Sequence, residues 1–126
     1  MDLGIKGKRA LVLASSQGLG LSIATKLCEE GANVIISSRV EDKLVTVAKE
    51  LNNAGPGTAY HVVADLSETD SAGKLYATAK DKFGGIDILV NNTGGPPPGT
   101  VDKPDTDLWR AQIDTMLIRV IEITNL

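Results

Sequence analysis

Four short apolar runs alternate with four stretches of helical periodicity, and few folds accommodate that order. Ala10 to Ala14 (Ala-Leu-Val-Leu-Ala) lies between Lys8-Arg9 and Ser15-Ser16. Such a run, bounded by turn residues, reads as a strand buried on both faces of a parallel sheet. Gly18 to Glu30 follows as a helix, with Ile23, Ala24, Leu27 and Cys28 on one face and Gly31 as its stop. Asn33 to Ser37 is a second strand, and Glu41 to Asn53 a second helix with Leu44, Val45, Val47, Ala48 and Leu51 apolar. Gly55-Pro56-Gly57 ends that helix. Thr58 to Ala64 is the third strand. Ser67-Glu68-Thr69-Asp70 resembles a capping box for the third helix, which runs to Phe83 and stops at Gly84-Gly85. Ile86 to Val90 is the fourth strand. A loop rich in Gly and Pro, Asn91 to Pro104, leads to a last helix starting near Asp105 to Asp107. Its apolar stripe is Ile113, Met116, Leu117, Val120, Ile121 and Thr124.

The order β-α-β-α-β-α-β-α predicts an α/β fold with a parallel sheet covered on both faces. Right-handed crossovers narrow it to a doubly wound sheet of four strands in the order 3-2-1-4. Residues 1–126 form a single domain with no internal linker or repeat. Aromatic residues are only 3% of the chain, so the core must come from Val, Ile, Leu and Ala. Thirteen Lys and Arg against 16 Asp and Glu give a net charge of −3, without a dense basic run. Electrostatic binding to nucleic acid is therefore not expected. No apolar stretch approaches the ~20 residues of a membrane span. The N-terminal residues carry no secretory signal, and the single cysteine, Cys28, cannot form an internal disulfide. These features favour a reducing, cytoplasmic setting.

The first strand runs into Ala14-Ser15-Ser16-Gln17-Gly18-Leu19-Gly20. Glycines at Gly18 and Gly20 remove side chains where a backbone must approach a pyrophosphate. The following helix N-terminus offers unpaired N–H groups to an anion. A Gly-x-Gly string alone is as readily a tight turn, but at the first βα turn of this pattern it favours a nucleotide. No Gly-Lys-Ser/Thr follows, so it is not a P-loop.

The spacing of Ala14, Gly18 and Gly20 resembles the Gly-rich signature of the short-chain dehydrogenase/reductase family. Asp65-Leu66 after the third strand resembles that family's second marker. Asn91-Asn92-Thr93-Gly94 after the fourth resembles its Asn-Asn-Ala-Gly, with Thr93 in place of Ala. The overall look is closest to the 3-oxoacyl-carrier-protein reductase-like members. The resemblance covers the whole chain but about the first half of a typical member. It implies a Rossmann-like fold, truncated relative to the family, and a nicotinamide dinucleotide at Ala14 to Gly20. It also implies that Asp65 meets the adenine amino group, with Leu66 beside the ring. Asn91 to Gly94 would close over the adenine ribose and brace the sheet. For Asp65 a capping or turn role is the alternative, and for Asn91 to Gly94 a plain loop exit. Gly95 to Gly99 reads as a stiff loop that could border a substrate entrance.

Cofactor choice depends on the end of the second strand. Folds that use NAD place an acid there, about 20 residues past the Gly-rich turn, to accept from the ribose 2′-hydroxyl. This chain has Ser38 and Arg39 instead. Ser can donate to a 2′-phosphate and Arg can pair with it through two donors. NADP is therefore expected over NAD. The alternative for Arg39 is a solvated side chain paired with Glu41 or Asp42.

The resemblance implies catalysis by a Ser and a Tyr-x-x-x-Lys pair, the Lys lowering the Tyr pKa. Those residues would follow the fourth helix and are not among these 126. Tyr76 and Lys80 copy the spacing but lie on the third helix, and Tyr60 falls in a strand. Met116 stands where the family carries an Asn that holds a proton-relay water, and reads as core packing. His61 has no neighbouring ligands for a metal, and Cys28 reads as an inert core thiol. Nothing marks Ser15 or Ser16 as a nucleophile.

No catalytic residue is therefore assigned. The expected function is the NADP(H)-binding half of a reductase moving hydride between NADPH and a carbonyl or alcohol. A substrate would be engaged only with the other half supplied. A fourth strand left as a bare edge and an apolar last helix predict a homo-oligomer or a partner chain. A fragment, a non-catalytic nucleotide-binding remnant and a dimerising domain are the competing forms. A protein-interaction module built on the last helix is the alternative function.

Overall fold

A computed structural model describes residues 2–93 and 105–126. Strands β1 (Arg9–Val12), β2 (Asn33–Ser38), β3 (Ala59–Val63) and β4 (Ile88–Val90) alternate with helices α1 (Gly18–Glu29), α2 (Glu41–Ala54) and α3 (Ser71–Phe83). The last helical segment comprises α4 (Thr106–Ile113), a π-helical turn (Asp114–Ile118) and α5 (Arg119–Thr124). All strand pairs are parallel and the order is β3-β2-β1-β4, as the sequence predicts. Val12 stands opposite Ile36 of β2 and Val90 of β4. β1, β3 and β4 are shorter than the expected strands, while β2 reaches one residue further, to Ser38. At β1 the run continues past the last ladder position into the Gly-rich turn.

Alternation along the strands builds the core on two faces. Ala10, Val12, Val34 and Ile36 meet Ala24 and Cys28 of α1 and Leu44 of α2 on one side. Leu11, Leu13 and Ile35 meet Ala72, Leu75 and Ala79 of α3 and Ile123 of α5 on the other. Both faces of β1 and β2 are thus sealed, which explains the unbroken apolar stretches Ala10–Val12 and Val34–Ile36. Two expected core positions are not in it. Val45 and Ile23 are exposed, because each lies at the margin of its helix's apolar face.

The ends of the helices follow local chemistry. Gly31 takes φ +88 after α1, a left-handed position. The Gly31 and Ala32 amides donate to the carbonyls of Cys28 and Leu27, closing the helix. The expected capping box does not form. Helix α3 begins at Ser71, and Asp70 at its N-cap makes no side-chain cap bond. Ser67 instead donates to Asp65 Oδ1 through its amide (2.9 Å) and its hydroxyl (2.7 Å). This turn competes with capping for the same short polar side chains.

The last helical segment departs most from its sequence reading. Asp105 caps it, accepting from the amides of Asp107 and Leu108. Yet Ile113, Met116, Leu117 and Ile121 of the expected stripe are exposed, Met116 by 41%. The helix is widened by the π turn at Asp114–Ile118, and Arg119 and Ile123 are the buried residues of α5. Met116 is therefore not a core residue. The stripe is left without a covering element among the described residues.

At the end of the sheet opposite the strand C-termini, Arg9 grips Asp87 through two 2.9 Å bonds, one from Nε and one from Nη2. These bonds hold the Asp87 carboxyl well below the usual carboxylate range.

Candidate nucleotide-binding site

A cleft of about 550 Å³ opens at the C-terminal ends of the strands. Ala14, Ser16, Gln17, Gly18 and Leu19 of the first βα turn form one wall. Ser37, Ser38, Arg39, Val40 and Lys43 follow from the end of β2 and the start of α2. Ala64, Asp65, Leu66 and Ser67 come from the loop after β3, and Asn92 and Thr93 from the end of β4. Gln112 and Thr115 of the last helical segment face them. Doubly wound sheets place ligands at this end, where the strand order reverses.

The Gly-rich turn is shaped by two positive φ values, +48 at Ala14 and +62 at Gly18. A Cβ at Gly18 would meet nothing within 4 Å, so its backbone is open to the cleft. Gln17 at the N-cap of α1 makes no cap bond, and the first turn holds no acidic residue. The N–H groups of α1 are therefore left to an anion.

Gly20 has a different role from the one expected. A Cβ there would lie 2.3 Å from the Ala14 carbonyl oxygen and 2.9 Å from Asn92 Nδ2. The glycine thus lets the turn pack on itself, and it does not line the cleft. Asn92 Nδ2 donates to that same Ala14 carbonyl at 3.1 Å, tying β4 to the turn. Part of the third marker is therefore a brace. Asn91 lies outside the cleft, donating to Thr124 Oγ1 at 3.3 Å. Gly94 and the Gly95–Gly99 loop lie outside the described residues.

Ser15 is buried behind the wall. Its hydroxyl donates to the Val12 carbonyl at 2.7 Å and accepts from the Ser37 amide at 3.0 Å. With its own amide donating to the Ser37 carbonyl, Ser15 extends the β1–β2 pairing and presents nothing to a ligand.

The mouth over β2 is cationic. Among the described residues Arg39 forms no ion pair, with Glu41, Asp42 or any other acid. Lys43 donates from Nζ to Gln17 Oε1, bringing a second positive charge to the turn. Ser38 Oγ accepts from the Val40 amide at 3.2 Å. Across the cleft, Asp65 is held below its ordinary carboxylate range, first by the two Ser67 bonds and then by the charge of Arg39. Both Ser67 bonds use Oδ1.

Lys43, Gln112 and Thr115 were missed from the sequence. Lys43 lies in the first turn of α2, which starts two residues after Arg39, and its place beside the end of β2 was a usable signal. Gln112 and Thr115 carry no motif, and only the packing of the last segment brings them here. Tyr76 and Lys80 do not line the cleft. No group of three metal-ligating side chains occurs among the described residues. Burial pushes the Cys28 thiol up to about 11, as suits an inert core thiol. No helix among the described residues is long and apolar enough to cross a membrane.

Fold and cleft together define a doubly wound α/β protein with an anion-ready first turn. The family model for short chain dehydrogenase matches residues 8–126, and the chain belongs to that family. It is 36% identical over 105 residues to a dehydrogenase/reductase SDR family member 4 of Caenorhabditis elegans, covering 82% of this chain and 40% of that one. Its structure superimposes on L-sorbose reductase from Gluconobacter frateurii, complexed with NADPH and L-sorbose, with a TM-score of 0.95 at 29% identity. The match covers 99% of this chain and 48% of that one. An NADH-dependent reductase, A1-R′, complexed with NAD, matches with a TM-score of 0.90 at 29% identity, over 99% of this chain and 52% of that one. The chain spans about half the length of the relatives it matches.

Proposed function

We propose that this chain is the NADP(H)-binding half of an oxidoreductase that moves hydride between NADPH and a carbonyl or alcohol. The observation that carries this reading is the mouth over β2, where Ser38, Arg39 and Lys43 stand and no acid ends the strand. Neighbours at the same 29% identity hold NADPH or NAD, so the fold itself does not choose between them. The side chains do. A 2′-phosphate would meet the Arg39 guanidinium and the Lys43 ammonium, and an acid would have repelled it.

The residues fit such a group in each part. The pyrophosphate would lie on the open backbone at Gly18 and the free N–H groups of α1. Asp65 Oδ2, outside the Ser67 bonds, can accept from the adenine amino group, with Leu66 against the ring. Thr93 and Asn92 would border the ribose, and Gly94 belongs to the same expectation. The bound dinucleotide supplies hydride chemistry, while this chain's residues bind and orient it. The Ser and Tyr-x-x-x-Lys of the family are not among these residues, so the 126-residue chain is expected not to turn over substrate alone. The lone, buried Cys28 suits a reducing cytoplasm.

Calorimetric titration of the 126-residue chain with NADPH and NADH tests the reading. Charge-assisted bonds to a phosphate are each worth about 1.5–3 kcal/mol, so NADPH should bind at least about tenfold tighter. Arg39→Asp should reverse the order. Equal affinity for the two would overturn the NADP assignment, and no binding of either would overturn the nucleotide reading.

The exposure of Trp109 (57%) and Leu117 (53%) beside Ile113 and Ile121 favours a second reading, an interaction face for a second copy or a partner chain. Sedimentation equilibrium showing a monomer throughout the micromolar range would count against a second copy.

A further inference from the structure

The geometry points to Arg119 as the positioning residue that holds the adenine wall of the cleft in place. This inference rests on the nucleotide reading above and deepens it. Arg119 is only 2% exposed, yet it is charged. Its Nε donates to the Leu66 carbonyl at 2.8 Å, and its Nη1 donates to Glu122 Oε1 at 2.9 Å. Leu66 lies in the wall between Asp65 and Ser67.

Two features make this contact more than packing. First, among the described residues the other bonds of the loop after β3 tie it to itself, to β2 (Ala64 amide to Ser38 carbonyl, 3.0 Å) and to α3 (Ser71 hydroxyl to Glu68 carbonyl, 2.9 Å), none of them to the last helical segment. Asp65 Oδ1 accepts from Ser67, and the Glu68 amide donates to the Asp65 carbonyl at 3.0 Å. These bonds set the turn's shape but not its distance from the opposite wall. The Arg119 bond sets that distance, because the segment bearing Arg119 also carries Gln112 and Thr115 on the facing side of the cleft. Second, the π turn at Asp114–Ile118 immediately precedes Arg119. Such turns re-aim side chains within a helix, often at functional sites. Here the residue buried after it is an arginine, whose planar fork can hold a carbonyl and a carboxylate at once. A buried charge is retained only where its partners are fixed, so the guanidinium ties the last segment and the adenine wall to one geometry.

The test compares wild type with Arg119→Gln in two measurements. The first is calorimetric affinity for ADP, NADPH and NADH, with each chain well below its melting temperature. ADP carries the adenine and pyrophosphate without the 2′-phosphate or nicotinamide. Arg119→Gln should weaken ADP, NADPH and NADH alike by about tenfold and leave the NADPH:NADH ratio unchanged. The second is hydrogen exchange of the Ser67 and Glu68 amides without ligand, which should quicken in the variant. A residue with a merely structural role would lower the melting temperature and move neither readout. Unchanged ADP affinity in a folded variant overturns the proposal, as does unchanged exchange at Ser67 and Glu68.

If Arg119→Gln fails to fold, Arg119→Lys takes its place. One ammonium cannot reproduce the two-donor fork, so ADP affinity should fall at least about threefold, and wild-type affinity overturns the proposal. A wild-type chain that binds no ADP would overturn the nucleotide reading itself, visibly before any variant is compared, and the ligand role of Arg119 with it.

Discussion

Replacing Gly20 with alanine would place a Cβ 2.3 Å from the Ala14 carbonyl oxygen and 2.9 Å from both Ser15 Cα and Asn92 Nδ2. Two of these three atoms are backbone, so neither can rotate away. Gly20 lies in α1, where alanine is the better helix former by about 1 kcal/mol. Against that gain stands the overpacking of a buried turn, about 1–3 kcal/mol. The Asn92-to-Ala14 bond, worth about 1 kcal/mol, would also be lost or stretched. The net expectation is a destabilisation of about 1–3 kcal/mol. Gly73 provides the control. It is also helical, in α3, but a Cβ there meets nothing within 4 Å. Gly73→Ala should therefore stabilise the chain by about 0.5–1 kcal/mol. Urea unfolding followed by circular dichroism at 222 nm reads both variants, with equal slopes confirming comparable unfolded states. Equal midpoints for Gly20→Ala and Gly73→Ala would refute the close-approach argument.

Three further outcomes are expected. Ser15→Ala removes the acceptor of the buried Ser37 amide and should cost about 1–3 kcal/mol, again by urea unfolding, with any loss of NADPH affinity following from the turn. Cys28 should resist thiol reagents in the folded chain and react on unfolding. Because folding raises its pKa to about 11 from an ordinary value near 9, its contribution is present below pH 9. That contribution is lost as pH rises through 11. The urea midpoint should fall more between pH 8 and pH 10.5 in wild type than in Cys28→Ala. Asp105→Ala deletes the acceptor of the Asp107 and Leu108 amides and should reduce helicity at a cost of about 1 kcal/mol.

Strand and helix order, the 3-2-1-4 sheet and the Gly-rich turn were all legible in the residues. Apolar runs and 3.6-residue periodicity are local properties, and a parallel sheet admits few ways to join them. Asp65, Arg39 and Ser38 were legible because strand ends in such a sheet face one cleft. Ser15 and Gly20 lie behind the cleft wall rather than on it, a choice the residues alone leave open because a small residue in a Gly-rich turn suits contact with a ligand and contact with the protein equally well. Their neighbours Ser37, Ala14 and Asn92 are distant in sequence.

The last helical segment shows the same limit most clearly. Its pattern identified an apolar face, but periodicity says only that such a face exists, not what lies against it. The register that buries Arg119 and Ile123, exposes Met116 and Leu117, and turns Gln112 and Thr115 into the cleft comes with a π turn and contacts to Leu66 and Asn91. From the residues alone came the α/β class, the place of the cleft and the basic character of its mouth, since these follow from the order of βα units and from strand-end residues. Which turn residues line the cleft, and that Arg119 bonds the Leu66 carbonyl of its wall, came only with the packing. Those depend on distances between elements far apart in the chain, and no local pattern encodes them.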